Sequence, residues 1–121
     1  MNDIQNRQDL EFLLSRFYEE LLHDPKMHHI FIEVAQIDMA EHLPMIVDFW
    51  EQVLLHTGEY NRNVMQLHVA LNRKVPLMPE HFQTWLRTFE NTVKQNFAGE
   101  NAENIITRAL SIATIMQIKI R

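Results

Sequence analysis

Residues 64–86, VMQLHVALNRKVPLMPEHFQTWL, decide how the chain is read. They combine a short amphipathic helix carrying His68, a basic loop containing Pro76, and the start of a longer helix carrying Trp85. In the first of these, Val64, Leu67, His68 and Leu71 form one inward row at helical spacing, and His68 is its only ionisable member. Burying an imidazole is costly unless both ring nitrogens are satisfied. Two arrangements achieve this: hydrogen bonds within a packed core, or a metal on one nitrogen and a carbonyl on the other. The stretch by itself leaves both open.

Working downstream, Pro79 suits the first turn of a helix whose inward row is Phe82, Trp85, Leu86, Phe89, Val93 and Phe97, with Ala98-Gly99 ending it. His81 lies off that row and reads as a surface residue. The last helix, from about Glu100 to the C-terminus, carries Ile105, Ala109, Leu110, Ile112, Ala113, Met116 and Ile120. It is apolar around more than half its circumference, which predicts a central buried helix or an oligomer surface.

Upstream, Asp38 followed by Glu41 matches a capping box opening a helix that Gly58 can close. Its stripe is His42, Met45, Ile46, Phe49, Trp50 and Val53, and Pro44 requires either a first-turn position or a kink. Met27, Ile30, Phe31, Val34 and Ala35 mark a shorter helix, with His28 and His29 on the surface. From Arg7 to His23, Leu10, Leu13, Leu14, Phe17, Tyr18 and Leu21 line one helical face, and Asp24-Pro25 ends it. The Tyr18 hydroxyl is thereby carried inward and needs a partner, either a core carbonyl or a ligand site. The expectation is an all-α fold of six helical segments, two of them short, in a single domain over residues 1–121.

Composition narrows the chemistry. Two glycines leave little material for hairpins or phosphate-binding loops. With 11 Lys and Arg against 16 Asp and Glu, and no basic cluster longer than Arg73-Lys74, nucleic acid is not an expected partner. The absence of cysteine excludes disulfides, zinc ribbons, iron–sulfur clusters, thiolate-ligated haem and covalent haem attachment through C-x-x-C-H, so a metal here must rest on His, Met, Tyr or carboxylate. No apolar run is long enough for a membrane span, and the polar MNDIQNRQDLEF does not read as a signal peptide, which predicts a cytoplasmic protein.

Tyr18, His42 and Trp85 are inward-facing hydrogen-bonding residues on three helices, with His68 on a fourth. Such helices can surround a flat cofactor. The ordered set Phe17-Tyr18, Asp24, Ile30-Phe31, Glu41-His42, Asp48-Phe49-Trp50, Gly58-Glu59-Tyr60-Asn61, His68 and Trp85-Leu86-Arg87-Thr88-Phe89 resembles the group III truncated haemoglobins over nearly the whole chain.

That resemblance implies a shortened globin fold, a two-over-two helical sandwich around haem b. It makes His68 the proximal iron ligand and Tyr18, His42 and Trp85 the polar distal residues. Phe31 then packs on the haem edge, and Ile46, Phe49, Met65, Leu71 and Phe82 become pocket walls. Arg73, with Arg62 and Lys74, stands near enough to His68 in sequence to be a propionate partner.

Neutral imidazole gives ferrous iron one nitrogen donor and leaves the opposite face for a diatomic gas such as oxygen, nitric oxide or carbon monoxide. Donors aimed at a partly negative ligand strengthen its binding. The expected function is therefore tight, reversible gas binding for oxygen or nitric oxide handling. Alternatives are a haem enzyme, acting as a nitric oxide dioxygenase or peroxidase with a reductase as electron donor, and a six-coordinate electron-transfer cytochrome using Met116 or Met45. A cofactor-free helical interaction module predicts instead that the polar residues are merely core. A di-iron bundle fails for want of a second Glu-x-x-His beside Glu20-Leu21-Leu22-His23.

Overall fold

A computed structural model describes residues 1–56 and 77–119. Helix α1 spans Arg7–Leu21, with the Asn6 side chain accepting from the Asp9 N–H at its N-terminus. Leu10, Leu13, Leu14, Phe17, Tyr18 and Leu21 are all buried, so the predicted stripe is the packed face. The helix stops two residues before His23. Asp24 then caps the next helix instead, accepting from the N–H groups of Lys26 and Met27 with Pro25 in the first turn.

The predicted Met27–Ala35 helix is two pieces. A short α2, Pro25–His28, runs into a π-helical segment, His29–Val34, that buries Ile30 and Phe31. His28 and His29 face solvent beside Glu33, as expected of surface residues. Helix α3 spans Met39–Trp50, and its cap Asp38 accepts from the Ala40 N–H. Pro44 sits in its interior rather than its first turn, so the Ala40 carbonyl receives no N–H from it. A second π-helical segment, Glu51–Leu55, prolongs α3, and His56 ends it in a left-handed conformation at φ 60°.

Helix α4 covers Pro79–Asn96 and α5 covers Glu100–Lys119. Phe82, Phe89, Val93 and Phe97 of the predicted α4 row are buried, while Trp85 and Leu86 are half-buried. Helix α1 packs on α3 and α4, and α4 packs on α5. At the centre Phe17 meets Phe89 edge-on, and Phe89 stacks between Trp50 and Trp85 at centroid distances of 5.7 and 5.4 Å. Helix α5 is not the buried centre. Its contact face is built from Ala102, Ile105, Ala109, Ala113 and Met116, while Leu110, Ile115 and Ile118 are exposed. The alanines bring α5 close on that side, while Leu110, Ile115 and Ile118 face outward.

No strand occurs among the described residues, and no helix among them is long and apolar enough to cross a membrane. The readings of Gly58, Arg62, Met65, His68, Leu71, Arg73, Lys74 and Ile120, and of the helix from Val64 to Leu71, lie outside the described residues.

Candidate functional site

Helices α1, α3, α4 and α5 leave a cleft between them, with roughly 700 Å³ of empty space including its open mouth. Its described wall is largely apolar. Met27, Phe31, Ile46, Phe49, Trp50, Leu77, Phe82, Ile112, Ala113 and Met116 line it, interrupted by Tyr18, His81 and Trp85. Six predicted site residues therefore share one cleft: Tyr18, Phe31, Ile46, Phe49, Phe82 and Trp85.

His42 stands beside this wall, joined to it through Tyr18. The Tyr18 Oη and His42 Nε2 atoms are hydrogen-bonded at 3.0 Å, and the rings meet edge-on at 5.3 Å between centroids. Tyr18 is 6% exposed, and burial pushes its hydroxyl well above the ordinary tyrosine range. The phenol thus stays protonated at physiological pH. It can donate to His42 Nε2, or accept a hydrogen bond from an Nε2–H while donating elsewhere. Phe31 closes the trio, 6.3 Å from the Tyr18 ring and 6.5 Å from the His42 ring.

Trp85 lies nearly parallel to Phe89, with an interplanar angle of 1°, and meets Phe17 edge-on at 88°. These contacts fix the plane of the indole. Its N–H makes no hydrogen bond with any described residue, leaving a donor available at the cleft.

His81 requires correction. Its side chain is 12% exposed and its ring lines the cleft. From the first turn of α4 the ring folds back over the helix end, where Nδ1 accepts the Met78 N–H at 2.9 Å. Helical spacing alone could not reveal this, because a first-turn side chain can cap the helix instead of extending its face. Met27, Trp50, Leu77, Ile112 and Ala113 also line the cleft, and all but Leu77 belong to the apolar rows of the sequence. Apolar core and pocket wall carry the same sequence signal.

Of the two methionines considered as iron ligands, Met116 lines the cleft and Met45 is not among its lining residues. No group of three or more His, Asp or Glu side chains suited to a metal occurs among the described residues. A largely apolar slot with the hydrogen-bonding side chains of Tyr18 and Trp85 in its wall does suit a flat, largely apolar cofactor.

No family model matches the chain. It is 30% identical over 115 residues to the group 3 truncated hemoglobin ctb of Campylobacter jejuni, covering 93% of this chain and 88% of that protein. The crystal structure of the group III truncated hemoglobin from Campylobacter jejuni superposes with a TM-score of 0.86 at 28% identity, covering 100% of this chain and 96% of that one.

Proposed function

The chain belongs to the group III truncated haemoglobins, and from that premise we propose that residues 1–121 form one cytoplasmic domain that holds haem b through His68 and binds oxygen and nitric oxide tightly. Membership implies a haem cofactor and diatomic gas ligands. When bound, haem supplies the iron on which a gas ligand is held.

The chain's own residues divide the remaining work. Phe31, Ile46, Phe49 and Phe82 enclose the ring and exclude water, and Met65 and Leu71 extend that wall on the family pattern. Arg73, with Arg62 and Lys74, pairs with the propionates. Tyr18, His42 and Trp85 supply the hydrogen bonds on the distal side.

The observation that carries this reading is the part-buried Tyr18–His42 hydrogen bond of 3.0 Å at the cleft wall. With His42 Nε2–H donating to the phenol oxygen, the Tyr18 hydroxyl is free to donate to a ligand in the cleft. A hydrogen bond to a charged acceptor contributes about 1.5–3 kcal/mol, equivalent to about tenfold to hundredfold in affinity. The Trp85 N–H can add a second. Such retention suits scavenging or chemistry on the gas better than a carrier that unloads with small changes in pressure.

Titration of the purified chain with haem tests the reading. A bound-haem Soret band, and carbon monoxide binding after reduction, are the expected results in the wild-type protein. His68→Ala should alter both. An identical spectrum in that variant, or no uptake by the wild type, overturns the assignment. The presence of Met116 in the cleft supports one second reading, a methionine-capped electron carrier. Failure of the reduced protein to bind carbon monoxide would favour it.

A further inference from the structure

A second pocket lies outside the cleft, where the start of α2 faces the start of α4. Asp24, Lys26, Glu80 and Thr84 border it. Met27 and His81 line both this pocket and the cleft, so the partition there is one side chain thick.

The partition is closed by flexible or weakly held groups. Met27 is 4% exposed but unbranched, with three rotatable bonds that let it swing without moving backbone. His81 Nδ1 accepts the Met78 N–H, so in the neutral ring Nε2 carries the proton. Glu80 stands between two partners, with Oε2 3.3 Å from Lys26 Nζ and Oε1 4.0 Å from His81 Nε2. The Lys26 and Glu80 side chains are 67% and 58% exposed, and so exposed a pair opens easily and weakens in salt.

We propose that a second way into the cleft for small uncharged gas molecules runs between Met27 and His81, and that Glu80, hydrogen-bonded to Lys26 in front of His81, keeps it shut. This rests on the gas-binding reading above. It makes Met27, Glu80 and His81 determinants of how fast a ligand arrives, separate from the Tyr18–His42 pair that governs how firmly it is held.

The test is carbon monoxide rebinding after photolysis of the reduced, haem-loaded chain. Glu80→Ala removes the latch at an exposed position and should raise the second-order association rate about threefold or more. Met27→Phe should lower it. High salt should move the wild-type rate toward that of Glu80→Ala and leave the variant unchanged. A readout without haem uses Trp50 and Trp85, the chain's two tryptophans, which both line the cleft. Quenching of their fluorescence by dissolved oxygen should increase in Glu80→Ala. Rates and quenching both unchanged in Glu80→Ala would overturn the route, whatever Met27→Phe does. Enhanced quenching without haem uptake would support the passage while overturning the gas-binding reading.

Discussion

Two polar clusters in this molecule are held in opposite ways. Where the N-terminal segment meets α5, Asp3 Oδ1 accepts the N–H groups of Ile4 and Ala102, each at 2.8 Å, and Oδ2 accepts that of Asn101 at 2.9 Å. Asn101 Nδ2 donates to the Ile4 carbonyl at 2.7 Å, and Ala98 N–H donates to the Asn2 carbonyl at 3.0 Å. At the cleft, Tyr18 makes one hydrogen bond with His42 and retains further capacity, and the Trp85 N–H is unpaired among the described residues. The first cluster joins the N-terminal segment to the start of α5 and has little bonding capacity left for a ligand. The second holds rings in place with donors still available, which is what a ligand site requires.

Changes at the first cluster should alter stability and leave gas kinetics alone. Gly99→Ala should have the largest effect there. Gly99 has φ +141°, and an added Cβ would lie 2.5 Å from Asp3 Cγ. A loss of about 1–3 kcal/mol is expected in urea unfolding, with unchanged oxygen dissociation.

Asp3→Ala should follow, losing about 1 kcal/mol as the cap of α5 disappears. Partial desolvation raises the Asp3 carboxyl, but the bonds from Asn101, Ala102 and Ile4 together hold it below its usual range. A depressed carboxylate stabilises the fold above its unfolded pKa of about 3.9 and loses that contribution as pH falls through the lower folded value. Acid titration of wild type against Asp3→Ala should therefore show the stability difference narrowing below about pH 4.

The smallest effect is expected from Arg7→Ala. Its guanidinium pairs with Glu11, Asp48 and Glu51 in a partly exposed network joining α1 to α3 and its π-helical extension. A loss of about 0.5 kcal/mol, measured by the same unfolding, is expected. A marked change in gas release from Gly99→Ala or Asp3→Ala would break the distinction between the two clusters.

The same contrast explains what could be read in advance. Repeated apolar spacing made α1 legible from Leu10 to Leu21 and α4 from Phe82 to Phe97, because burial enforces that period. Tyr18 and Trp85 stood out as polar members of those rows. His42 had the same signature, although its bond to Tyr18 required tertiary structure. Ile4 is fully buried, yet a single apolar residue in a polar segment establishes no period. Asp3 reaches partners at Asn101 and Ala102 that no local pattern connects to it. The π-helical segments and the left-handed stop at His56 arise from backbone geometry rather than side-chain pattern. His81 reaches the cleft although it lies off the apolar row, because a capping side chain does not follow the helical period.

Oxygen dissociation from the reduced, haem-loaded chain tests the central claim most directly when wild type is compared with Tyr18→Phe. The substitution keeps the buried ring and removes only the hydroxyl. Release should accelerate by about tenfold to hundredfold, the equivalent of one charge-assisted hydrogen bond. An unchanged dissociation rate in a folded, haem-binding Tyr18→Phe protein would contradict the account.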